Sequence, residues 1–170
     1  MKKQNGVTMV ELVVVIIIIL IITSFSVFTG KEAVDQATAA EIYGEINSMR
    51  EAINAVNIKK ELDSDFVITS GDYYDAKVSE VMSKDEFESM YGIYVDEVEF
   101  DNLYIIFGMD NLEYYDNSNV NKNYGLDSIK HSYLINFEEG RVDLLKAIKI
   151  ANRSVRTFEQ VRALVDDGEI

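Results

Sequence analysis

Eleven consecutive aliphatic residues, Leu12 to Ile22 (LVVVIIIILII), constrain this chain more than any other feature. In water such a β-branched run favours strand. In a bilayer or a dry bundle the backbone must satisfy its own hydrogen bonds, and helix wins. The run lies within a longer stretch, 7–28, whose only charge is Glu11. As a helix that stretch spans roughly 33 Å, enough to cross the hydrocarbon core of a membrane. Lys2 and Lys3 precede it and little positive charge follows closely. The positive-inside rule then places Met1 to Gly6 in the cytoplasm and everything after Gly30 outside.

The rest of the chain is unlike this segment. A mean hydropathy of -0.03 averages an apolar end with an acidic remainder. The 170 residues carry 16 Lys+Arg against 30 Asp+Glu, a formal charge of -14. Without Cys there is no disulfide framework, thiolate metal site or thiol nucleophile. A single histidine, His131, leaves no His-rich metal site and makes any Ser-His-Asp triad depend on one residue. A pI near 4.4 opposes binding to a nucleic-acid backbone, which needs excess Lys and Arg. No Gly-rich phosphate loop is present. The expectation is a chain with no catalytic residues, no cofactor and no metal: a structural protein, not an enzyme.

Two simple readings of the apolar segment fit poorly. A cleaved secretory signal would end near an A-x-A-like site, and Ser24-Phe25-Ser26 is a poor version of one. A plain anchor has no need of Glu11, since an ionisable residue in a span costs about 2.5–3.5 kcal/mol on insertion scales.

Lys2-Lys3-Gln4-Asn5-Gly6, followed by Val7-Thr8-Met9-Val10-Glu11 and the aliphatic run, resembles the leader and helix start of the type IV pilin and pseudopilin family. The resemblance is strong over residues 1–30. It implies recognition of a basic leader (Lys2, Lys3) by a prepilin peptidase, cleavage between Gly6 and Val7, N-methylation of Val7 and a role for Glu11 in assembly. It also implies insertion in the cytoplasmic membrane as a single-pass protein with the C-terminal part outside, then entry into an extracellular filament. The implied partners are other pilin subunits, the peptidase/methyltransferase, the assembly platform and its ATPase, and the membrane before assembly. Two features depart from the family's habit. The mature chain would begin with Val7 rather than Phe, and the apolar helix has no Gly or Pro break.

The chemistry of that segment is self-consistent. Cleavage at Gly6 would leave a cationic amine on Val7, four residues from the Glu11 carboxylate. Each charge is costly in a dry bundle, and pairing offsets much of the cost. Pairing between subunits would set register; pairing within one helix is the alternative, since residues four apart share a face.

Beyond residue 30 the pattern predicts a continuing helix over 31–62. Ala39, Ile42, Ile46, Met49, Ile53 and Val56 form one apolar stripe, and Asp63-Ser64-Asp65 ends it. Residues 66–69 read as a short strand. Ser83-Lys84-Asp85-Glu86 reads as a capping box opening a helix that stops near Gly92. Strand-like runs follow at 93–100, 103–107 and 112–115, with turns at Gly108 and Asp110-Asn111, and then a polar loop at 116–123. Residues 131–137 and 141–150 read as a hairpin about Glu139-Gly140. Thr157 to Gln160 resembles a capping box for a last helix ending at Gly168. The predicted fold is α+β, a long N-terminal helix on an antiparallel sheet of about four strands with short helices, which is pilin-like. The predicted division is a leader at 1–6, a membrane or filament-core helix at 7–30 and an extracellular head at 31–170.

Other candidates are weaker. The loop 116–121 has oxygen ligands but lacks the Gly and Glu of a calcium loop. Paired tyrosines at 73–74, 91/94 and 114–115 read as packing residues, and His131 as structural. Residues 61–116 hold 16 acids and two bases, whereas 141–162 hold six bases and two acids. That asymmetry suggests either steered contacts between subunits or two solvated faces. Remaining alternatives are a pseudopilin or minor pilin of a secretion or DNA-uptake machine, and a monomeric membrane-anchored binding or sensor domain. Adhesion, twitching motility and secretion all suit the same subunit plan.

Overall fold

The computed structural model describes residues 9–69, 71–111, 113–114, 124–126 and 129–166, apart from the side chains of residues 10, 11 and 25–29. Helix α1 (Met9–Leu62) runs for 54 residues. With no proline anywhere in the chain to remove an internal hydrogen bond, it extends for about 80 Å. It ends where the sequence predicts. The Asp63 amide closes the last turn on the Lys59 carbonyl at 2.9 Å, the Asp63 side chain accepts from the Asp65 amide at 3.1 Å, and Lys59 and Lys60 complement the helix dipole.

A four-stranded antiparallel sheet packs on the second half of α1. Its strands are β1 (Ala76–Lys77), β2 (Leu103–Ile106), β3 (Tyr133–Asn136) and β4 (Arg141–Leu144), in the order β1-β2-β3-β4. The register pairs Ile105 with Leu134 and Ile135 with Val142. Both faces are covered. One meets α1 and α5 (Phe158–Asp166), through Ile106, Tyr133, Ile135, Val142 and Leu144. The other meets α2 (Val78–Val81), α3 (Lys84–Tyr91) and α4 (Glu97–Asp101), through Leu103, Ile105 and Leu134. This is why all four residues of β3 are buried where simple alternation would leave every second one in water. A separate hairpin, β5 (Ile148–Ile150) and β6 (Arg153–Val155), places Ile150 and Val155 in the α1 core.

The α+β fold, the long helix and the four-stranded sheet agree with the sequence expectation. Both capping boxes are present: Ser83 and Glu86 exchange bonds at the start of α3, and Thr157 and Gln160 do so before α5. Gly92 closes α3 in the left-handed conformation, φ 63°.

Four local expectations are corrected. Residues 66–69 form no strand; Phe66 and Ile68 rest on the core while Val67 stays exposed. Residues 97–101 are helix because Asp96 caps it, accepting from the Glu99 amide at 2.8 Å. Glu113 and Tyr114 lie in a turn. The strand from Arg141 stops at Leu144, and the chain then builds β5 and β6 around Ala151 and Asn152, whose φ angles are 50° and 63°. Both residues at positive φ suit a tight hairpin turn. The loop 116–123 and Gly168 lie outside the described residues.

Candidate functional site

The sequence directs attention to α1, and its surroundings change abruptly along its length. From Leu12 to Ile22 every side chain is exposed, on all sides of the helix, from 47% at Ile16 to 64% at Ile21. The only hydroxyls among the described side chains here bond within the helix. Thr23 Oγ1 donates to the Ile19 carbonyl and Ser24 Oγ to the Leu20 carbonyl, each at 2.7 Å. Such bonds leave no hydroxyl hydrogen seeking water. Among the described residues no helix is long and apolar enough to cross a membrane. The described side chains of this half are those of residues 9 and 12–24, and the apolar stretch of the sequence continues past them on both sides.

From Ala39 onward the helix is clad. Ala39, Ile42, Ile46, Met49, Ile53 and Val56 are all buried, the stripe the periodicity predicts. Polar contacts climb the same face in order. Lys31 Nζ donates to Asn152 Oδ1 at 3.4 Å, Lys130 meets Glu41 at 2.7 Å, the Tyr133 hydroxyl donates to Glu45 Oε2, and Asn57 Nδ2 donates to the Phe137 carbonyl at 2.7 Å. β3 therefore runs in the direction of α1, with its Tyr133 end toward the aliphatic segment. Away from the sheet, Gly30, Ala33, Ala37, Ala40 and Gly44 recur at steps of three and four, all exposed. Sequence periodicity could have found this small-residue face beside the large-residue one.

Glu45 is the one buried carboxylate in this interface among the described residues. Burial raises its pKa, the Tyr133 hydrogen bond opposes that, nearby Glu41 adds to it and Lys130 lowers it. Burial, then the adjoining carboxylate, pushes the Tyr133 phenol well above its ordinary value. Sequence reading missed this pair, because the partners lie 88 positions apart.

The basic C-terminal segment is partly engaged within its own molecule. Arg141 bonds Glu99 at 2.5 Å, Glu139 at 3.0 Å and Asp143 at 3.2 Å. Arg156 donates to the Tyr91 carbonyl at 2.8 Å, and Arg162 pairs with Asp166 at 3.0 Å. Arg50 sits 4.2 Å over the Phe158 ring. Lys146 and Lys149 are exposed. Asp75 accepts the Phe107 amide at 2.6 Å, so it serves the end of β2.

Of the predicted site residues, Lys2, Lys3, Gly6 and Val7 lie outside the described residues. Glu11 lies in the first turns of α1, with its side chain outside them. The geometry does not bring these residues together or separate them.

The family model of the Prokaryotic N-terminal methylation motif matches residues 1–27. This is the type IV pilin signature, and it marks a type IV pilin-like or pseudopilin precursor. The motif implies processing by a prepilin peptidase, membrane anchoring and assembly with other pilins. No curated protein and no solved structure matches the chain.

Proposed function

We propose that this chain is a structural subunit of a type IV pilus-like extracellular filament and has no catalytic role. The observation that carries this reading is the aliphatic cylinder of residues 12–22, left uncovered by the head that clads the same helix further along. Apolar surface of that kind needs a bilayer or neighbouring helices to remove it from water. Both suit a subunit that waits in the cytoplasmic membrane and then polymerises. In this reading Lys2 and Lys3 guide the peptidase to the bond between Gly6 and Val7, Val7 becomes the methylated N-terminus, and residues 7–30 form the filament core. Glu11 offsets the charge of an N-terminal amine in the dry bundle. Residues 31–170 form the external head.

The test is N-terminal mass spectrometry on sheared surface filaments. A methylated N-terminus at Val7 is the expected result, and an intact Met1 overturns the reading. Retention with the membrane after shearing, with the same processed terminus, would instead assign a pseudopilin. Replacement of Glu11 by Gln is expected to lower filament yield sharply; unchanged yield and register would remove Glu11 from assembly.

A further inference from the structure

Glu41 and Glu45 lie one turn apart on α1, about 6 Å along its axis. They face two donors, three positions apart, where the chain enters β3. Lys130 Nζ meets Glu41 Oε1 at 2.7 Å, and the Tyr133 hydroxyl donates to Glu45 Oε2. The two contacts differ in burial. Glu41 and Lys130 are about half exposed, whereas Glu45 is 8% exposed and Tyr133 is fully buried. Among the described residues nothing donates to Glu45 Oε1. The group of four therefore holds two carboxyls and one cation, and the carboxyl without the cation is the buried one.

Burial raises the Glu45 pKa, the Tyr133 hydrogen bond opposes this, Glu41 adds to it and Lys130 lowers it. Asp110 acts on Tyr133 and accepts the Ser132 hydroxyl at 2.6 Å. His131 is the remaining titratable side chain of segment 129–133. On the other elements packed against α1, Arg162 of α5 pairs with Asp166, Arg141 of β4 holds Asp143, and Glu159 of α5 and Lys149 of β5 are exposed. Segment 129–133 is tied to the rest of the head by a few backbone bonds. The Ile129 and Lys130 carbonyls accept from the Met109 and Asp110 amides at 3.1 Å and 2.9 Å, and the Ser132 carbonyl accepts from the Leu145 amide at 2.9 Å.

We propose that Glu41, Glu45, Lys130 and Tyr133 form a pH-operated latch that holds segment 129–133 against α1. While Glu45 is neutral, the single ammonium serves Glu41 and Tyr133 stays docked. When Glu45 loses its proton, two carboxylates compete for one ammonium, and one of them is buried with a single donor. A buried charge so placed is costly, and the cost is relieved when the segment lifts from α1 and water reaches Glu45. The closed latch favours the protonated carboxyl. It is therefore firm below the ordinary carboxylate pKa, weakens as pH rises from there to the folded-state value, and changes no further above it. Because the Tyr133 end of β3 points toward the aliphatic segment, pH sets how firmly the head grips its helix on that side.

The test is hydrogen–deuterium exchange on the full-length protein in detergent micelles, from about pH 4 to about pH 9, corrected for the intrinsic pH dependence of amide exchange. Protection of the Met109 and Asp110 amides should fall by up to about tenfold per pH unit within the window. The Gly92 amide, which closes α3 on the Glu88 carbonyl, should keep its protection. Glu45→Gln should hold Met109 and Asp110 level across the range. Glu41→Gln changes an exposed side chain and frees Lys130 for Glu45, so it should shrink the fall. His131→Gln should leave the fall as in the parent. Level protection of Met109 and Asp110 in the parent overturns the proposal, as does a fall that survives Glu45→Gln or vanishes with His131→Gln. An equal fall at Gly92 would assign the effect to unfolding of the whole head and overturn the latch as well. Should Glu45→Gln not fold, Glu41→Gln decides, and a fall identical to the parent's overturns the competition for Lys130.

Discussion

Residues 12–22 and residues 39–56 belong to one uninterrupted helix, yet they obey different rules. The first stretch is aliphatic on every side and nothing in its own molecule covers it. The second is aliphatic on one side only, and a sheet, a hairpin and α5 cover that side. An apolar stripe indicates that the fold itself will supply the cover. An apolar cylinder indicates that the cover comes from outside. The change from one pattern to the other, near Ala39, is where internal stability ends and dependence on surroundings begins.

Paired substitutions on the two stretches would break this comparison most directly. Ile46→Ala is expected to destabilise the head by about 2–5 kcal/mol, the range for emptying a fully buried aliphatic site, as read by thermal or urea unfolding. Ile18→Ala in the same assay should leave head unfolding unchanged. An equal loss from both would mean that the aliphatic stretch is part of the head's core after all. Tyr133→Phe should cost about 1–3 kcal/mol, because it strips the buried Glu45 carboxylate of its hydroxyl donor.

The same carboxylate sharpens the comparison through pH. Burial holds the folded-state pKa of Glu45 above its ordinary value, so the fold favours the protonated form. The stability from this group is complete below the ordinary carboxylate pKa and is lost as pH rises through the folded-state value. Glu45→Gln should therefore flatten that loss as pH rises above the ordinary carboxylate range, in a series of melting temperatures against pH. A slope identical to that of the parent protein would remove Glu45 from the account. The smallest effect is expected from Lys130→Ala. Its ion pair with Glu41 has both side chains about half exposed, where water screens the charges and little stability is gained, so the melting temperature should barely move.

What the sequence made legible follows from where the governing interactions lie. The buried stripe of α1 and the Ser83 and Thr157 boxes depend on residues three or four apart, so periodicity exposes them. The 93–100 segment misled because Ile93, Val95, Val98 and Phe100 suit a strand by composition. A local cap, Asp96 with Glu99, decided the matter, and its Asp-x-x-Glu spacing was available to be read. The break after Leu144 depended on a turn at Ala151-Asn152 that lacks the usual Asn-Gly signature. The buried state of Leu134 and Asn136 arises from helices on both faces of the sheet, a tertiary fact with no local trace. At the candidate site the aliphatic surface was legible from composition, whereas the Glu45–Tyr133 contact and the Lys31–Asn152 contact needed the fold.

The bonds from Thr23 and Ser24 to the carbonyls one turn back have a consequence for exchange between environments. A side chain that has settled its polar needs within its own helix loses nothing when lipid tails are traded for the side chains of other helices. For the described residues 12–24 the two media are nearly equivalent as solvents. Neither medium then traps the helix, and transfer in either direction can be governed by small differences elsewhere in the molecule. A segment with this property is suited to repeated use, drawn out of a membrane and returned to it intact.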